Sequence, residues 1–109
     1  MDYIDMLKST DISIRKNAVK DIVANDMKDL ASELLNLAVN GPTYTKLDSL
    51  EAYRQLIDKN DIKTLERFLT DRSWHIRLEA IRGYYHILGQ DSIEVLKRFL
   101  NDKAYGVRS

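Results

Sequence analysis

DRSWHIRLEAIRGYY, residues Asp71 to Tyr85, decides the reading of this chain because its pattern returns at one fixed spacing on both sides. Thirty-one residues further on, Asp102 and Val107-Arg108 answer Asp71 and Ile76-Arg77. Sixty-two residues earlier, Ile14-Arg15 and Ala18 answer Ile76-Arg77 and Ala80, and the copy between them reads Thr45-Lys46 with Ser49. About three and a half units fill the chain, over approximately residues 1–26, 27–59, 60–90 and a partial 91–109. Self-similarity at such a period marks stacked supersecondary units, none of which can bury its apolar face alone. The period therefore predicts an all-α solenoid of helix pairs.

The apolar spacing supplies the helices. Tyr3, Ile4, Met6 and Leu7 make a short first helix. Ser9, Thr10 and Asp11 offer cap oxygens to a second, whose face is Ile14, Ala18, Val19 and Ile22 through about Ala24. After the turn at Asn25-Asp26, Leu30, Leu34, Leu37 and Ala38 form a broad stripe. Asn40-Gly41-Pro42 is the strongest break, and Leu50, Tyr53, Leu56 and Ile57 carry the next helix. Ile62, Leu65, Phe68 and Leu69 predict another before Asp71. From Ser73 a long helix runs to a glycine cap at Gly89, with Gly83 inside it expected to admit a close neighbour. Asp91 to Leu100 repeats Asn60 to Leu69, placing Ile93, Leu96, Phe99 and Leu100 on Ile62, Leu65, Phe68 and Leu69.

Composition narrows the function classes. One domain is expected from 109 residues with 44% hydrophobic content. Seventeen basic side chains balance seventeen acidic ones, which argues against a surface built to hold phosphate backbone or anionic lipid. The chain has no cysteine, so thiolate and disulfide chemistry are excluded, in keeping with a reducing cytoplasm. Its first residues lack a basic head with an apolar run, and no stretch approaches the roughly 18 apolar residues of a spanning helix. A cytoplasmic location is the expectation.

A helix, an aspartate in the turn, a branched apolar residue followed by arginine, and alanine three residues after that arginine together resemble the HEAT repeat. The fragments DRSWHIRLEA and DKAYGVRS look most like the short bacterial HEAT-like repeats also found in phycobiliprotein lyases. The likeness spans the chain and is weakest in the second unit, where Asn40 and Lys46 stand for the aspartate and arginine. It implies a right-handed α-α superhelix and a ladder between neighbouring units, carried here by Asp71, Arg77, Asp102, Arg108 and Arg15. A guanidinium reaching a turn carboxylate makes a charge-assisted pair, which suits a structural role. The ankyrin and tetratricopeptide signatures are missing.

The face of each second helix that the core does not use is where function is expected. It carries Lys16, Lys20 and Val23 in unit one; Tyr44, Leu47, Asp48, Glu51, Arg54 and Gln55 in unit two; and His75, Leu78, Glu79, Arg82, Tyr85 and His86 in unit three. The resemblance puts this row on a concave side. Its mix of aromatic, arginine and acidic groups suits protein binding, against the alternative of a merely solvated face. Trp74, at the turn, is expected to pack on the neighbouring unit, with an exposed anchor as the alternative.

A metal site is a poor fit. His75 and His86 are eleven residues apart, about 16 Å by helix rise, too far for one ion. His75 with Glu79 suits a surface hydrogen-bonded pair. No nucleophile with a recognisable base and no phosphate-cradling glycine loop is present. The expectation is a non-catalytic interaction module, an adaptor or an inhibitor or immunity protein, that binds another protein without a cofactor. Alternatives are a tetrapyrrole-type lyase or chaperone, which the resemblance raises, and nucleic-acid binding through Lys16 and Lys20. An open end at Phe99 and Leu100 predicts homodimerisation or capping.

Overall fold

The computed structural model describes residues 2–102, with side chains through residue 98. All regular structure among them is helical: α1 (Tyr3–Leu7), α2 (Ile12–Ala24), α3 (Ala31–Asn40), α4 (Thr43–Leu56), a 3-10 helix (Lys59–Thr70), α5 (Trp74–Leu88) and α6 (Asp91–Asp102). A single 3-10 turn, Lys28–Leu30, leads into α3. None of these helices is long and apolar enough to cross a membrane.

The helix ends follow local chemistry. Asp2 caps α1 by accepting the Asp5 N–H, and Asp11 caps α2 by accepting the Ser13 N–H. The hydroxyl of Ser13 also donates to Asp11 at 2.8 Å. That bond and the backbone one hold the Asp11 carboxyl below the usual carboxylate range. Pro42 stands at the cap of α4 rather than inside its first turn. Gly89 ends α5 with φ 61 and ψ −135, a conformation that side chains beyond glycine avoid. Its N–H donates to the carbonyl of Tyr85 at 2.8 Å.

The chain divides into two compact units, Met1–Ile57 and Asp58–Ser109. In the first, α1 packs on α2, α3 packs on α4, and α4 also packs on α2. Its core is Leu7, Ala18, Val19, Ile22, Leu34, Leu37, Ala38, Leu50, Ala52, Tyr53 and Leu56. A buried hydrogen bond from Thr45 to the Leu7 carbonyl, 2.9 Å, ties α4 to the end of α1. In the second unit α5 packs on the 3-10 helix and on α6, around Leu65, Phe68, Leu69, Ile76, Ala80 and Tyr84.

Tyr84 lies buried, and desolvation, assisted by the nearby Glu66 charge, pushes its phenol up to about 12.

The segment before Asp71 departs from an ordinary α-helix. Ile62, Leu65 and Phe68 recur every third residue, which in a helix of three residues per turn sets them on one line. Leu65 and Phe68 are buried there with Leu69 and Ile62 is half-buried, so the apolar edge meets α5 even though 3-10 runs of this length are uncommon.

Residues thirty-one apart on α2, α4 and α5 share a burial pattern. Ala18, Ser49 and Ala80 are all fully buried, and four residues after each stands a buried bulky side chain, Ile22, Tyr53 and Tyr84. A small residue lets the second helix approach its neighbour, and the bulky one fills the space one turn later.

Candidate functional site

In the first unit the outer edges of α2 and α4 are joined by charge. Arg15, 8% exposed, donates from Nε to Asp48 Oδ2 at 2.7 Å and from Nη1 to the Ser9 carbonyl at 2.9 Å. Its guanidinium lies 5.0 Å from the centre of the Tyr44 ring, so that ring partly roofs a buried cation. Lys16 bridges Asp48 Oδ1 at 2.8 Å and Glu51 at 3.0 Å. Partial burial works against its ammonium, but Asp48 and Glu51 outweigh that and hold its pKa above the ordinary lysine value.

Asp48, expected on the partner-binding face, is therefore corrected. It is 3% exposed and spent on Arg15 and Lys16. It sits on the flank of α4 that meets α2, where a carboxylate is retained because a buried guanidinium needs it. Arg15, expected in a ladder with a turn aspartate, reaches this mid-helix one instead. Of the other residues assigned to this face, Tyr44 is exposed, and Glu51, Arg54 and Gln55 are half-buried. Gln55 donates to the carbonyl of Glu51 at 2.9 Å.

In the second unit α5 carries the exposed chemistry. Trp74 and Tyr85 are each 59% exposed. Eleven residues is close to three full turns, so the two rings share one stripe of the helix, about 16 Å apart. The Trp74 ring is stacked on His75, with centroids 3.8 Å apart and planes 29° from parallel. Arg82 extends from the same side, and its Nη1 meets Glu79 at 3.0 Å. Glu79, expected on the binding face, is 7% exposed and so is also corrected: it lies beneath Arg82, its charge answered from above. His86 is exposed.

Arg77 donates to the Asp71 carbonyl at 2.7 Å, six residues back, as Arg15 does to Ser9. Asp71 accepts the Ser73 N–H at 2.9 Å, which shapes the turn before α5. The side chain of Asp102, with those of Phe99 and Leu100, and the whole of Arg108 lie outside the described residues.

No family model matches this chain, and neither does a curated protein or a solved structure. Among the described residues no group of three or more His, Cys, Asp or Glu side chains is placed to hold a metal ion. Between α5 and α6 runs an open apolar groove of about 690 Å³, lined by Ile81, Arg82, Tyr85, His86, Ser92, Ile93 and Leu96. Inspection of the second-helix faces alone missed Ile81, Ile93 and Leu96. The signal was present, because Ile93 repeats Ile62 at the thirty-one-residue spacing. Exposed Ile12, on α2, was missed as well, although the period sets it where Trp74 stands.

Proposed function

We propose that this chain is a non-catalytic module of HEAT-like helix hairpins that binds another protein, acting as an adaptor or inhibitor. The observation that carries the reading is the stripe of α5 on which Trp74 and Tyr85 stand exposed, with exposed Arg82 three residues before Tyr85 on the adjoining flank. A monomer gains nothing by leaving two large rings wet on one line, whereas aromatic and arginine anchors concentrate binding energy at protein interfaces. The recurring Ala18/Ser49/Ala80 register, buried in each copy, supports the hairpin-repeat part of the proposal. Near-zero net charge favours a protein partner over nucleic acid.

The test compares affinity capture from native cell extract by the wild-type chain and by a Trp74→Ala/Tyr85→Ala variant. Both side chains are exposed, so the variant folds, which circular dichroism checks. The expected result is loss of the captured protein by at least about tenfold, as for paired aromatic anchors. Undiminished capture by the folded variant would sink the assignment.

A further inference from the structure

The second unit holds two versions of one segment, wound at different pitches. Asn60 to Thr70 and Asp91 to Asn101 stand thirty-one residues apart and share Ile62/Ile93, Leu65/Leu96, Arg67/Arg98, Phe68/Phe99 and Leu69/Leu100. The later copy lies in an ordinary α-helix, α6, of 12 residues. The earlier one lies in the 3-10 helix Lys59–Thr70, also of 12 residues. One apolar pattern therefore supports either winding, and what selects between them lies outside the segment.

Nothing local asks for the tighter form. Residues 59–70 contain neither glycine nor proline, and Lys59, Lys63, Leu65, Glu66, Arg67 and Leu69 are strong α-formers. Runs of 3-10 helix beyond three or four residues are uncommon because their hydrogen-bond geometry is poorer, and they mark hinges or strain. This one is packed against α5. It is also tied internally by the Thr64 hydroxyl, which donates to the Asp61 carbonyl three residues back at 2.7 Å.

The apolar side chains accommodate both states. At three residues per turn Ile62, Leu65 and Phe68 lie on one line, with Leu69 about 120° round from it. At 3.6 residues per turn Leu69 comes within about 20° of Ile62, and Phe68 moves to the far edge of an arc that is again about 120° wide. Leu65, Phe68 and Leu69, all buried in the 3-10 form, thus keep an inward face after rewinding. Length is what changes: 12 residues span about 24 Å at the 3-10 rise and about 18 Å at the α rise.

We propose that residues 59–70 are a two-state element that rewinds from the 3-10 helix to an α-helix about 6 Å shorter, the α form being populated at roughly 1–10%. Rewinding puts Leu69 in place of Phe68 on the line with Ile62 and so reshapes the seat of α5. This conformational device does not depend on the protein-binding reading above.

The chain has no cysteine, so nitroxides at Lys59→Cys and Thr70→Cys, both exposed positions, report this segment alone. Pulsed electron spin resonance on the full chain should give a main distance and a minor one about 5–6 Å shorter. Asn60→Ala with Thr64→Ala adds α-forming residues and removes the Thr64–Asp61 bond, and it should raise the shorter share about fivefold. Relaxation dispersion of backbone amides in the unsubstituted protein is the second measurement, with microsecond-to-millisecond exchange expected across residues 59–70. A single long distance in both labelled proteins overturns the proposal, as does a short share that the double substitution leaves unchanged. A single short distance before that substitution overturns it too, by making the segment a plain α-helix. So does a flat dispersion profile across residues 59–70.

Discussion

Replacing Asp48 with alanine isolates the contact that holds α2 to α4. The carboxylate is almost wholly enclosed, and the guanidinium it meets at 2.7 Å is nearly so. Removing it leaves Arg15 buried with the Ser9 carbonyl and the Tyr44 ring as remaining partners. An uncompensated buried charge costs about 3–5 kcal/mol, and those surviving contacts put the expected loss near the lower end, about 3 kcal/mol. Lys16 contributes little to this sum, because its side chain is half exposed and keeps Glu51.

Urea unfolding followed by far-ultraviolet circular dichroism is the assay of choice. The single tryptophan, Trp74, lies in the second unit and would report the wrong place. The midpoint should fall by roughly 1–3 M. Lys16→Ala should cost no more than about 1 kcal/mol. Arg15→Met combined with Asp48→Leu should recover most of the stability, since an apolar pair of similar volume replaces a buried ion pair at little cost. A loss below about 1 kcal/mol for Asp48→Ala would refute the reasoning, for it would mean that water screens the pair.

Three further outcomes are expected. Ser49→Ala should raise stability by about 1 kcal/mol in thermal unfolding, because the Ser49 hydroxyl is buried with no hydrogen-bond partner and both equivalent positions, Ala18 and Ala80, are alanine; a loss of stability would show that the hydroxyl is satisfied. Gly89→Ala should cost about 1–2 kcal/mol through backbone strain alone, since a methyl group there meets open space while φ is +61; a neutral result would contradict the cap geometry. Tyr84 titrates above its ordinary value, so the stability it confers is complete below pH 10, the unfolded tyrosine value, and is lost as pH rises through about 12, while Lys16, raised above the ordinary lysine value of 10.5, adds a loss at pH above that value. Alkaline melts should therefore show a falling midpoint between pH 10 and 12, and Tyr84→Phe should flatten its upper part.

Much of the architecture was legible in the residues. The positions of Ile14, Thr45 and Ile76 located α2, α4 and α5, and Asp11, Gly41 and Gly89 marked where helices begin or end. These signals are local. A cap oxygen, a glycine at positive φ and an apolar spacing act within one or two turns, so they hold before any long-range contact forms. The spacing of Ile62, Leu65, Phe68 and Leu69 gave the apolar edge without fixing the pitch, because it lies on one face in either helix type. Packing against α5 accompanies the tighter winding.

The functional surface was less legible. Periodicity assigned Asp48, Glu79 and Tyr44 to one outward row, but a row on a helix is wider than the surface left after its neighbour docks. Which flank of α4 meets α2 depends on the crossing of two helices whose contacting charges, Arg15 and Asp48, are 33 residues apart. The same limit applies to Glu79 beneath Arg82, to Trp74 on His75, and to the open wall at Ile93. The sequence alone determined the helices and the faces that must be buried, since those follow from short-range geometry. Only the tertiary structure decided which charges are enclosed and which rings stay wet, because burial is a property of two surfaces in contact and each helix encodes only its own.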